Sequence, residues 1–284
     1  YLQTGYVRNT GIELSLGYNH TWNNNFHWDS NFTLSHNKNE IKELVRDYLH
    51  PETGEIINKD RLEIGKLGKA KFILKEGGTL GDLYSQSDLK RDNNGMVEID
   101  PSGALVVENN LDDIKLGTVF PKANLAWNNH FSWKGISLSA LITARIGGIV
   151  YSATEAAMDQ YGVSERSALA RDNGGVLLNG RTLVDAQTYY TAIGSESGLP
   201  QYYTYSATNV RLQEASLGYT IPRKWLGNAC DIQVSVVGRN LWMIYNKAPF
   251  DPEAVATTDN YYQGIDYFML PSTRNIGVNV KITF

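Results

Sequence analysis

The 284-residue chain has no uninterrupted apolar stretch approaching the roughly 18 residues that a membrane helix needs, so helical spans are excluded. Its single cysteine, Cys230, forbids an internal disulfide and any multi-cysteine metal or iron–sulfur site, and reads as a passive thiol. Basic excess is missing too. The 26 Lys and Arg stand against 30 Asp and Glu, a formal charge of −4, without the one-sided basic footprint of a nucleic-acid binder. The few histidines, His20, His27, His36, His50 and His130, are scattered without metal-ligand spacing, and no Gly-x-x-x-x-Gly-Lys-Ser/Thr phosphate loop occurs. No clustered nucleophile and base suggests an enzyme, and no cofactor is expected. A start methionine and a signal-like segment are also missing, from which the chain is expected to be a piece of a longer one.

Aromatics are plentiful. The chain carries 17 Tyr and 6 Trp at a mean hydropathy of −0.33, a combination met in strands embedded in lipid. Such strands alternate apolar and polar residues, so they average to modest hydropathy while keeping one oily face, with aromatics gathered at the water boundaries.

From Arg8 to Trp22 the alternation is strict. Ile12, Leu14, Leu16, Tyr18 and Trp22 share one face, and Glu13, Ser15, Gly17, Asn19 and Thr21 the other. After Asn23, Asn24 and Asn25 it resumes, with Phe26, Trp28, Phe32 and Leu34 opposed to His27, Asp29, Asn31, Thr33 and Ser35. Two strands joined by a tight turn are predicted. A second hairpin is read between Pro121 and Val150, where Leu125 and Trp127 lead through a turn at Asn128, Asn129 and His130 into Ile136, Leu138, Ala140 and Ile142. A third joins Val210–Tyr219 to Ile232–Ile244 through a connector containing Pro222, Trp225 and Asn228. Its phase slips near Glu214 and again between Val236 and Leu241, which predicts bulges. The last strand runs to Phe284, with Ile276, Val278, Val280 and Ile282 on one face.

The connections alternate between short and long. Three long ones, at about 40–120, 151–208 and 246–273, far exceed the soluble-domain median of about 4 to 6 residues. Outer-membrane barrels show this asymmetry, with short periplasmic turns and long outer loops. Trp22, Trp28, Trp127, Trp133 and Trp225 are read as one aromatic girdle beside the short turns. The fold expected is all-β, a transmembrane antiparallel β-barrel contributing seven wall strands. The count becomes nine if two more hide among 70–74, 79–84, 96–99 and 104–107. Neither count closes a single-chain barrel, so the remaining wall is expected upstream of Tyr1.

The last third carries Val210-Arg211-Leu212-Gln213-Glu214-Ala215-Ser216-Leu217-Gly218-Tyr219-Thr220-Ile221-Pro222, then Gly238-Arg239-Asn240-Leu241, then Phe250-Asp251-Pro252-Glu253. Together with Gly77-Gly78-Thr79-Leu80-Gly81-Asp82, Gly117-Thr118-Val119-Phe120-Pro121-Lys122 and Gly147-Gly148, this resembles the carboxyl-terminal part of SusC/RagA-like TonB-dependent transporters of Bacteroidota. The resemblance implies a larger barrel of about 22 strands filled by an amino-terminal plug. It also implies a SusD-like surface lipoprotein as partner, and TonB-driven import of a glycan or peptide across the outer membrane. Contact with TonB would run through a region that this chain lacks. Relatives often carry an Asp-rich, calcium-like repeat, but only Asp92-Asn93-Asn94-Gly95 with Glu98 stands here, which disfavours a calcium site.

Within that frame, Glu13, Asn19, Asn31, Lys122, Asn124 and Arg145 are candidate lumen-facing residues, read as bracing a plug in preference to touching a solute. Val280, Ile282 and Phe284 are the candidate signal for the barrel-assembly machinery. Tyr189, Tyr190, Tyr202, Tyr203, Tyr205, Tyr261 and Tyr262 either stack on sugars, pack on a lid protein or pack within the loops. The alternative function is a passive porin or adhesin-like barrel, and a more distant one a soluble carbohydrate-binding module.

Overall fold

The computed structural model describes residues 5–227, 229–257 and 262–284, so Asn228 and Tyr261 lie outside the described residues. The chain opens with β1 (Tyr6–Thr21) and β2 (His27–Glu43). It then builds β3 (Arg61–Leu67), β4 (Ala70–Lys75), β5 (Asp82–Leu89) and β6 (Val107–Thr118), before β7 (Ala123–Trp133) and β8 (Ile136–Ile146). Helices α1 (Ala153–Gln160), α2 (Glu165–Asp172) and α3 (Ala186–Gly194) precede β9 (Asn209–Ile221), β10 (Asp231–Asn246) and β11 (Asn275–Thr283). No described helix is long and apolar enough to cross a membrane.

One antiparallel sheet takes β1, β2, β7, β8, β9, β10 and β11 in that order, an up-and-down wall. Its strands run from 9 to 17 residues, enough for a tilted crossing of hydrocarbon, which takes about 9 to 11. Register turns the period-two pattern into a continuous oily surface. His20, Trp28, Phe131, Leu138, Leu217, Val236 and Val278 align across all seven strands. Nearer the long loops, by four residues on β1, β2, β7 and β8 and by more on the bulged β9 and β10, Leu16, Phe32, Trp127, Ile142, Leu212 and Trp242 align in the same way. Ile12, Leu138 and Val278 are 68%, 47% and 70% exposed, so no described part of the chain covers the apolar face at these positions.

The second hairpin turns later than expected. Lys134 and Gly135 make the turn with φ of 48° and 86°, while Asn128, Asn129 and His130 lie within β7, opposite Leu141, Ala140 and Ser139. Paired positive-φ residues match the right-handed twist of a two-residue hairpin loop. The asparagine run misleads because it looks like turn chemistry although Lys-Gly supplies the geometry. Trp127 consequently sits well inside the wall, and the girdle beside the turns keeps Trp22, Trp28, Trp133 and Trp225.

Both expected bulges are present. Between Leu212 and Glu214, Gln213 has no opposite number on β8, and β10 answers with Asn240 in the left-handed region at φ 53°. Asparagine tolerates that conformation better than branched residues do.

Among the described residues the wall has seven strands and not nine. Segments 70–74 and 79–84 contribute to a separate sheet, β3-β4-β5-β6, above the wall, whereas 96–99 and 104–106 make only the isolated bridges Arg91–Val97 and Ile99–Leu105. The second long connection contains the three helices, which the sequence reading did not anticipate. Their caps were visible: Ser152, Ser164 and Asp185 each accept from the N–H three residues on. At the exit from β8, Gly147 and Gly148 have φ of 79° and 80°, where a Cβ would meet Lys122 and the carbonyl oxygen of Val119. That pair lets the chain leave the wall beneath the first connection.

The three outer connections share one core. Phe72, Leu83 and Leu89 from the first pack with Tyr151, Ile193, Leu199 and Tyr203 from the second and Ile265 from the third, all nearly inaccessible to solvent. Each large side chain so buried contributes about 1.5–3 kcal/mol relative to exposure, which converts long connections into fixed structure.

Candidate polar face beneath the outer connections

Alternation that places oil on one side of the wall places Glu13, Ser35, Asn124 and Arg145 in register on the other. These residues line a cavity of about 660 Å³, together with Thr143, Gln213 and Glu253. Three of the six candidates, Glu13, Asn124 and Arg145, therefore meet at one site. The other three do not join them. Asn19 stands nearer the short turn, donating to Asp29 Oδ2 at 3.1 Å. Asn31 lies between Gly17 and Asn128. Lys122 precedes β7, and its carbonyl oxygen bonds His36 Nδ1. Gln213 and Glu253 were not singled out as site residues. The first reaches the site because a bulge displaces it, and the second comes from the far outer connection.

Arg145 is held at one point only. Its Nη2 donates to the Val119 carbonyl at 2.7 Å, while Nε is buried without a partner. Beside it, Arg211 is almost fully buried and well satisfied. Its Nη2 and Nη1 donate to Asp251 Oδ1 and Oδ2 at 2.8 and 3.2 Å, its Nε donates to Asn209 Oδ1 at 3.2 Å, and Glu253 lies 3.3 Å away. Asn209 in turn donates to Glu253 Oε1 at 3.1 Å. Burial works against ionisation of Asp251, but the bonds from Arg211 and from the backbone of Glu253 outweigh it and hold the carboxyl below its usual range. Arg-Leu, Gly-Arg-Asn-Leu and Phe-Asp-Pro-Glu thus read as parts of one junction, where Arg211 ties the third outer connection to the bulged seam between β9 and β10.

A second junction lies in the helical connection. Asp159, fully buried, accepts from Ser164 Oγ at 2.5 Å, Arg166 Nε at 3.0 Å and Tyr203 Oη at 2.9 Å. Burial, and then the Asp159 charge, push the Tyr203 hydroxyl far above its ordinary value, so it stays a donor. Tyr190 and Tyr203 belong to the shared core, Tyr189 and Tyr202 pack against it, and Tyr205 stacks edge-on to Phe250. Packing within the loops is what these rings do. Tyr262 remains 40% exposed, edge-on to Phe72.

The acidic loop has other occupations. Asp92 Oδ1 accepts the N–H groups of Asn94 and Met96, closing a turn, and Glu98 pairs with Lys90 at 2.8 Å. Among the described residues no group of three or more His, Cys, Asp or Glu is placed to hold a metal. Val280, Ile282 and Phe284 lie exposed at the end of the apolar face.

No family model matches the chain. It is 24% identical to TonB-dependent receptor P3 of Formosa agariphila over 98% of its own length and 29% of that protein's. It is 22% identical to TonB-dependent receptor P26 of the same organism, over 99% and 29%. Among solved structures, the RagAB peptide transporter superposes with a TM-score of 0.63 at 17% identity, covering 99% of this chain and 29% of that one. The RagAB peptide importer in the open-open state gives 0.64 at 16%, with the same coverage. The resemblance to RagA-type TonB-dependent transporters read from the motifs is therefore present in sequence and in fold, and the fold is that of a barrel wall. The chain spans under a third of the length of these relatives, which are named as receptors and transporters.

Proposed function

We propose that this chain is the carboxyl-terminal wall and outer loops of a TonB-dependent importer of the outer membrane, moving a glycan, oligosaccharide or peptide inward. The observation that carries the reading is the two-faced sheet: seven strands with exposed oil on one side, a polar row on the other, and folded connections at one end only. Edge strands β1 and β11 leave backbone donors and acceptors unpaired among the described residues, and hydrocarbon does not tolerate them so. Further wall strands close the circle, and a plug with its TonB-contacting segment supplies gating and energy.

The outer connections form the external side of a binding cavity and the seat of a SusD-like lipoprotein. Exposed Tyr161, Val163 and Leu169 around α2 suit such a seat. Val280, Ile282 and Phe284 present the strand that the assembly machinery recognises. The test is uptake of labelled oligosaccharides and peptides by cells with and without TonB, alongside membrane fractionation. Uptake should vanish without TonB and the protein should fractionate with the outer membrane. Uptake that persists without TonB would establish a passive porin instead.

A further inference from the structure

Arg145 is the one guanidinium lining the 660 Å³ cavity, and its electrostatics are unfinished. A buried or half-buried arginine normally meets a carboxylate fork-to-fork. Here one neutral carbonyl serves Nη2, Nε has nothing, and among the described residues no carboxylate lies within ion-pair distance of it. Nε is sealed from the cavity, whereas Nη1 is neither bonded nor sealed and is the donor that an arriving anion reaches.

Neither acidic residue of the cavity fills that role. Glu253 attracts the Arg145 guanidinium through space but lies beyond ion-pair distance of it, and its oxygens are engaged by Asn209 at 3.1 Å and Arg211 at 3.3 Å. Glu13 stands three strands away in the same row, a separation of about 14 Å at ~4.8 Å per strand. That exceeds the roughly 8 Å screening length of physiological salt. The floor between them is neutral and hydrogen-bonding, with Ser35 and Asn124 in the row and Thr143 and Gln213 beside it. Arg145 is also next to last in its strand on the side of the long connections, so the cation lies where a solute arriving from outside first meets the wall.

We propose that Arg145, with Asn124 opposite it on β7, forms a carboxylate-binding subsite for the imported solute, which is therefore an acidic one. This rests on the importer reading and narrows its substrate class. The carboxylate comes from a uronic acid sugar or from the free carboxyl terminus of a short peptide, and Arg145 recognises the same group in both.

The experiment uses the intact transporter in detergent, titrated by calorimetry with four probes. These are an oligogalacturonate, a neutral galacto-oligosaccharide of equal length, a tetrapeptide with a free carboxyl terminus and its carboxamide. One acidic probe should bind and its neutral counterpart should bind about ten- to a hundredfold more weakly. Which acidic probe binds identifies the source. Arg145→Gln should erase the difference between acidic and neutral partners, and Arg145→Lys should retain part of it, with heat-modifiable migration verifying that both variants fold. Equal binding of acid and neutral partners, an unchanged preference in Arg145→Gln, or binding of none of the four probes by the wild type would overturn the subsite. TonB-dependent uptake that survives Arg145→Gln with unaltered acid preference sinks this inference alone. Uptake independent of TonB sinks the importer reading and leaves the titration result standing.

Discussion

Trp28 and Asn129 are joined on the oily side of the wall: the indole Nε1 donates to Asn129 Oδ1 at 3.1 Å across the seam between β2 and β7. The exchange is reciprocated one pair along, where Trp127 Nε1 donates to Ser30 Oγ at 3.0 Å, and Ser30 and Asn129 face each other in register. Two polar side chains on a lipid-facing surface are thus each covered by an indole from the neighbouring strand, so neither group enters hydrocarbon unpaired.

Replacing one member should cost more than replacing both. Trp28→Phe leaves the Asn129 oxygen without its donor and should destabilise by about 1–3 kcal/mol. Asn129→Leu combined with Trp28→Phe should recover most of that loss. A double-mutant cycle from urea unfolding in detergent measures the coupling, and additive single effects would show that the bond contributes nothing.

The buried junction at Arg211 makes a second prediction. Asp251→Ala strips away the better of its two carboxylate partners and should cost about 3–5 kcal/mol, reduced to the extent that Glu253 compensates. Limited proteolysis should then cut the third outer connection while the wall strands stay protected. Protection equal to wild type would show that the junction does not hold that connection.

Adjacent positions on β11 should respond oppositely to a charge. Val280 pairs with Val234 on the apolar face, whereas Asn279 pairs with Ser235 on the polar one. Val280→Arg should cost about 2–4 kcal/mol if it lies near the bilayer midplane, and Asn279→Arg little. Assembly yield in the outer membrane and unfolding in lipid vesicles report both, and equal tolerance would contradict the assignment of faces.

Acid should loosen the outer sheet before the wall. Arg61 donates to Asp113 through Nε and Nη2 at 2.7 and 2.9 Å, and with Gln86 draws the carboxyl down to about 2 against the desolvation of the site. A carboxylate depressed in the folded state contributes its stability above its ordinary value of about 3.9 and loses it as the pH falls through the folded value. Hydrogen exchange at β3 and β6 should therefore accelerate between about pH 4 and pH 2, and Asp113→Asn should flatten that dependence.

The wall was readable because a strand with one face in oil must alternate, and nothing in the tertiary structure overrides that demand. Ile12, Leu138 and Val278 fell where period two put them, and even the bulge opposite Asn240 showed as a phase slip. The turn after β7 was missed because asparagines in a strand imitate a loop when their partners, such as Trp28, lie a hundred residues away. The outer helices were missed for a different reason. They are a little over two turns long, and their helicity depends on packing Ala156, Ala170 and Tyr190 into a core drawn from distant segments. Of the site, Glu13, Asn124 and Arg145 could be placed on one face by parity. Their meeting with Gln213 and Glu253 depended on the bulge and on the Arg211 junction, which are properties of the assembled sheet.

The common core under the outer connections bears on which segments can be exchanged between related chains. Gly68 sits so close to the Glu196 carbonyl that any Cβ would collide with it, and Phe72 and Leu83 lie against the same cluster as Tyr151, Leu199 and Tyr203. A chimera that grafts the first connection alone would hollow out the others, so these segments are exchangeable between relatives only as a set.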